Sequence, residues 1–126
     1  MGVNKQAPAY RCGRLQAALH ILRLLGTGHS DLALARSVDA TADSPETALL
    51  KHLALAGLHL HEAAARKDPK RLAAATEVFQ ALPGLIPPGG VPKGRFRNAK
   101  PSEWEFSEGF HAQLCEYRKR FSELLG

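Results

Sequence analysis

Leu15, Ala18, Leu19, Leu22 and Leu25 recur at steps of three and four, the spacing that lines one face of a helix, and predict a first helix from about Pro8 to Leu25. Gly26 and Gly28 supply its stop. Ser30 suits the cap of a short second helix through Leu32, Ala35 and Val38. The third helix has the most legible start: Ser44 places a capping hydroxyl before Pro45, whose missing N–H costs nothing in a first turn. Leu49, Leu50, Leu53, Gly57, Leu58 and Leu60 carry it to about Arg66 as a broad apolar stripe. A helix apolar over so much of its circumference is expected at the centre of a bundle, or else partly covered by another subunit. Asp68-Pro69 opens a fourth helix in the same way, with Leu72, Ala75, Val78, Phe79 and Leu82 on its stripe and Pro83 as its break. The last opens with Ser102-Glu103-Trp104-Glu105, a capping box, and places Phe106, Phe110, Leu114, Tyr117, Phe121 and Leu124 on one face.

Between the fourth and last helices runs PGLIPPGGVPKGRFRNAKP, too rich in proline and glycine for any regular element and longer than most loops. Elsewhere 20 Ala and 19 Leu stand against 4 Val and 2 Ile, so helix formers dominate and the residues that fill sheets are scarce. The expected fold is all-α: a compact bundle of about five helices with a long basic Pro/Gly loop before the last helix. At 126 residues the chain has room for a single helical-bundle domain, residues 1–126.

Cys12 and Cys115 are too few for a disulfide scaffold, no apolar run approaches ~20 residues, and the N-terminus lacks the apolar core of a signal peptide. A cytoplasmic protein with no membrane association is the expectation. Charge then sharpens the picture. The net charge is +5, and it is unevenly spread: residues 1–42 carry five bases and two acids, residues 43–82 five of each, residues 83–101 four bases and no acid, and residues 102–126 three bases and five acids. Localised excess of this kind suits a polyanionic partner better than general solubility.

Catalysis has little to work with: there is no nucleophile elbow, no Walker-type glycine loop and no HExxH. His111 with Cys115, and His52 with His59, share helix faces, but neither pair has two further ligands at metal-binding spacing, so no metal or cofactor is expected. The basic loop is the stronger candidate. Lys93, Arg95, Arg97 and Lys100 fall within eight residues, with Phe96 among them to stack on an unpaired base and no carboxylate to neutralise them. Against this stands a solvated loop whose aromatic tucks into the bundle. Arg11 and Arg14 lie on or beside the apolar stripe of the first helix, placed either to snorkel or to meet a phosphate or a partner's carboxylate. Lys70 and Arg71 occupy the first turn of the fourth helix, where cations are mildly unfavourable, and that misplacement favours a functional role. Arg118, Lys119 and Arg120 complement the dipole near the end of the last helix and, with Glu116 and Glu123 close by, read mainly as a solvated face.

Particular strings carry a resemblance. APAYRCGRLQAALHIL, ATADSPETALLKHLALAGLHL and SEGFHAQLCEYRKRF resemble, in order, the C-terminal region of the large subunit of type I-C CRISPR Cascade complexes. Pro8-Ala9-Tyr10, Gly13-Arg14-Leu15, Ala42-Asp43-Ser44-Pro45 and Gly109-Phe110-His111 stand at the corresponding motif positions. Ala35 to Asp39 replaces the family's aromatic-rich segment, and Gly109 to Gln113 its Tyr-Tyr-His-Gln. In that family the region is also made as a separate small subunit. The resemblance implies an all-helical, non-catalytic protein present in several copies. Its partners would be the effector's large and backbone subunits, further copies of itself, the guide RNA–target DNA hybrid and the displaced single-stranded DNA. The alternative is a helical protein–protein interaction module with no nucleic-acid role, docking through the third or the last helix.

Overall fold

A computed structural model describes residues 8–28, 45–87 and 102–125. They form helices and no strand: α1 (Pro8–Thr27), α2 (Pro45–Ala65), α3 (Pro69–Leu85), α4 (Ser102–Arg120) and the short α5 (Ser122–Leu125). The all-α bundle expected from the sequence is therefore the fold. The helix expected from Ser30, the Ser44 cap and the Pro/Gly-rich segment 88–101 lie outside the described residues. None of the described helices is long and apolar enough to cross a membrane.

Local signals act where they were expected. α3 starts because Asp68, extended at φ −111° and ψ 106°, accepts hydrogen bonds from the amides of Lys70 and Arg71 at 3.1 and 3.3 Å while Pro69 takes the first turn. Lys67, at φ 58°, turns the chain between α2 and α3. Three boundaries differ. α1 runs through Gly26 to Thr27 and stops at Gly28, whose φ is 89°, and the last helix is interrupted at Phe121, between α4 and α5. Pro83 does not stop α3, which runs on to Leu85 and closes with the Ile86 amide donating to the Pro83 carbonyl at 3.4 Å. So near a helix end the missing proline amide removes a single bond, too little to terminate the turn.

Helix directions follow from the contacts. Arg11 meets Gly84 and Arg71 meets Leu25, so α1 and α3 are antiparallel. Tyr10 meets Gly109 and Arg14 meets Gln113, so α1 and α4 run in the same sense. Gly26 lies on His59 and Gly28 by Arg66, which sets α2 in that sense too. The N-termini of α1 and α4 and the C-terminus of α3 thus share one pole of the bundle.

The centre is α1, not α2 as the breadth of its apolar stripe suggested. α1 packs against α2, α3 and α4 and touches α5, and fourteen of its twenty residues are buried. Leu15, Leu19, Ile21, Leu22 and Leu25 sit in its core with Leu49 of α2 and Val78 of α3, closed off by Phe106, Phe110, Leu114 and Tyr117 of α4. Burial of each such side chain is worth about 1.5–3 kcal/mol. α2 flanks α1 and leaves Leu58 52% exposed. Small residues decide the matter: they let neighbours reach α1 from several sides, including the side that carries the buried Gln16 and His20.

Gly13 and Gly109 show this most directly. A Cβ on Gly13 would run into the Phe106 carbonyl and stand 2.7 Å from the Phe110 amide; one on Gly109 would run into the Tyr10 carbonyl. Gly26 meets α2 in the same manner, 2.5 Å from the His59 carbonyl. Nothing lies within 4 Å of the corresponding position on Gly57. Gly13→Ala and Gly109→Ala are each expected to destabilise by about 2 kcal/mol or more, since backbone has to move to admit the methyl group. Gly57→Ala is expected to stabilise by about 0.5–1 kcal/mol through helix propensity. Urea unfolding monitored by circular dichroism reads all three.

Burial also pushes the Cys12 thiol and the Tyr117 phenol up to about 12, from ordinary values of 9.0 and 10.0. Each is an acid held neutral by the fold, so its contribution is complete below the unfolded value and is lost as pH rises toward the folded one. The urea midpoint is expected to fall between about pH 9 and 12, and Cys12→Ala to flatten the early part of that decline.

Candidate nucleic-acid interface

Each of the four described candidate bases has a partner within the chain. Arg11 donates from Nη1 to the Gly84 carbonyl at 3.3 Å, joining α1 to the end of α3. Arg14 donates from Nε to the buried Gln113 Oε1 at 2.8 Å, joining α1 to α4 one turn beyond the Gly13–Gly109 crossing. Lys70 reaches Glu123 at 3.5 Å, with both side chains more than three quarters exposed. A pair so open contributes about 0–1 kcal/mol.

Arg71 has a reason for its position that its own helix does not reveal. Its Nη1 donates to the Leu25 carbonyl at 3.0 Å, and Arg66 Nε donates to the Gly26 carbonyl at 2.7 Å. Both acceptors belong to the last turn of α1, which has carbonyls without intrahelical partners and no basic residue of its own. The first turn of α3 is an unfavourable place for a cation, but the C-terminus of α1 is a favourable one, and the two ends are adjacent. The misplacement seen in the sequence is thus resolved by packing.

Lys93, Arg95, Arg97 and Lys100, together with Phe96, lie outside the described residues. Their attachment points do not. Pro87 follows the end of α3 and Ser102 begins α4, so both flanks of the segment stand at the pole where α1 and α4 begin.

No known protein family, curated protein or solved structure matches this chain.

The C-terminal basic run divides in a way that sequence order hides. Arg120 turns toward α3 and holds Glu77 with two contacts, one from Nη2 at 2.7 Å and one from Nε. That carboxylate raises the guanidinium's pKa further. Arg118 and Lys119 point elsewhere and, with His111, Leu114, Cys115 and Ser122, line an open groove of about 590 Å³ along α4. Residues 111, 115, 118 and 122, spaced by four, three and four, mark one helix face beside the buried 110, 114 and 117. Reading Arg118, Lys119 and Arg120 as one block conceals that division. The other histidine pair is structural at His59, which is buried against Gly26 and holds Glu62 at 3.0 Å. Among the described residues no three His, Cys, Asp or Glu side chains converge as a metal site would require.

Arg71→Ala is expected to cost about 1–2 kcal/mol of stability, because the α1 terminus forfeits a charge-assisted bond. Retention on heparin should stay within about twofold of the parent at equal folded fraction. Thermal unfolding and salt elution measure the two effects separately.

Proposed function

We propose that the protein is a non-catalytic nucleic-acid-binding subunit, specifically a small subunit of a type I CRISPR RNA-guided surveillance complex. In that role it stabilises the R-loop through contacts to nucleic-acid backbone. The observation that carries this reading is the acid-free basic run Lys93 to Lys100 in the sequence, whose described flanks, Pro87 and Ser102, stand at the pole where α1 and α4 begin. Helix N-termini present unsatisfied amides and partial positive charge, so cations held beside them reinforce one another toward an anion. α1 has no acidic residue in its first turn, while the first turn of α4 carries Glu103 and the buried Glu105. The motif resemblance and the localised charge excess point the same way. R-loop formation exchanges one duplex for another at nearly equal free energy, so a few backbone contacts suffice to tip it.

A second reading, a protein-interaction module, draws support from α2. Ala54, Gly57, Leu58, His61 and Ala65 are exposed along one helix face. Leu58→Lys would abolish complex formation under that reading and leave polyanion binding intact under the first.

The four-base variant Lys93→Ala, Arg95→Ala, Arg97→Ala and Lys100→Ala is the direct test. Fluorescence anisotropy with a single-stranded oligonucleotide across a salt series should show the slope of log K against log salt falling in magnitude by up to about 2.8, at about 0.7 for each phosphate left unneutralised. An unchanged slope removes the segment from the mechanism. A parent protein that fails to bind single- or double-stranded nucleic acid, alone or within its assembled complex, overturns the reading.

A further inference from the structure

We propose that the cleft between α3 and α4 is a binding site for a small zwitterion, a free amino acid with a short apolar side chain. The site is independent of the nucleic-acid reading and is tested apart from it. α3 and α4 pack on α1 rather than on each other, which leaves a gap between them with α1 as its floor. The two outer helices run in opposite senses, so Glu77, Ala81 and Leu85 of α3 stand across from Arg120, Tyr117, Glu116 and Gln113 of α4. With Arg14 of α1 they enclose a recess of about 160 Å³. Arg120 closes one end of it by holding Glu77.

The polar groups left without partners define the ligand. Tyr117 is only 5% exposed and lines the recess, yet nothing among the described residues hydrogen-bonds its phenol. The oxygen is not sealed off, so it opens into the recess. The ring lies stacked on Phe121 with centroids 5.9 Å apart, and burial together with Glu116 keeps the phenol protonated as a donor. Arg14 commits Nε to Gln113 and, among the described residues, leaves both Nη groups unbonded. A guanidinium edge beside a phenol is a receptor for a carboxylate. Glu116 is exposed, has neither hydrogen bond nor ion pair among the described residues, and suits an ammonium group. Since Glu77 is already matched to Arg120, the recess presents one unpaired cation and one unpaired carboxylate. A phosphate or a metal ion would leave one of them opposed, whereas a zwitterion satisfies both. Ala81 and Leu85 form an apolar wall for the side chain, and the volume is close to the cavity of about 150 Å³ that holds one benzene ring.

Isothermal titration of the full chain with L-valine tests the site. Binding is expected with a Kd on the order of 1 mM or below. Acetate and methylammonium, which each carry a single charge, should bind at least about tenfold more weakly, and N-acetylvaline amide, which carries neither, should not bind. Tyr117→Phe keeps the ring and its packing, and with unchanged circular dichroism it should weaken L-valine about fivefold. Glu116→Gln should weaken it about tenfold, and Arg118→Ala, outside the recess, should change nothing. The site is overturned by the absence of heat and of thermal stabilisation with L-valine up to about 20 mM. It is equally overturned by binding that survives both substitutions or that N-acetylvaline amide reproduces. Oligonucleotide binding measured on the same preparations bears on the other reading alone.

Discussion

At Gly13 and Gly109 the backbones of α1 and α4 meet with no side chain between them, and every other contact of α4 is registered from that crossing. Close approach brings Arg14 within reach of Gln113 and seats Phe106, Phe110 and Tyr117 against α1. It also settles which faces of α4 remain outside. Once the face bearing residues 110, 114 and 117 is committed to the core, Arg120 must turn toward α3, and Arg118 and Lys119 toward solvent. A methyl group at either glycine would move all of these together. Glycine in mid-helix costs up to about 1 kcal/mol, which the packing of four aromatic and aliphatic side chains outweighs.

Much of this architecture is legible in the amino-acid sequence. Stripes of Leu and Ala, the Asp68-Pro69 cap and the dearth of β-branched residues mark out helices and the positions of their starts, because local backbone chemistry decides them. Centrality is not legible in the same way. α2 has the broader apolar pattern, yet α1 is enclosed, since enclosure depends on how many neighbours can approach. Gly13, Ala17 and Gly26 permit that approach without contributing to any hydrophobic stripe. Pro83 misleads for a related reason: its cost depends on how many turns follow it.

The candidate site is harder to read than the fold. Arg71 looks misplaced on its own helix, whereas its partner is the end of another. Sequence order likewise makes one unit of Arg118, Lys119 and Arg120, which helical geometry separates by about 100° per residue. Glu77 is 43 residues from Arg120, and no local pattern announces their pairing. Charge clusters are conspicuous in a sequence; which members are already occupied depends on long-range packing.

Occupied cations are not thereby silenced. The bonds that Arg66 and Arg71 make to backbone carbonyls, and Arg14 to a side-chain amide, have neutral acceptors and leave the guanidinium charge in place. Lys70 and Arg120, by contrast, are set against carboxylates. An internal hydrogen bond therefore withdraws an arginine from direct contact with a ligand without removing its contribution to the field around the bundle. Field and contact separate into different residues. Under the proposed reading, the long-range attraction that gathers a polyanion would draw on arginines that also hold the helices together, and direct contact would fall to cations with no internal acceptor. Under that reading, neutralising a structural arginine costs folding stability first and encounter rate only modestly, whereas neutralising a solvent-facing one shortens the lifetime of the complex, because screened steering acts on association and direct bonds govern release.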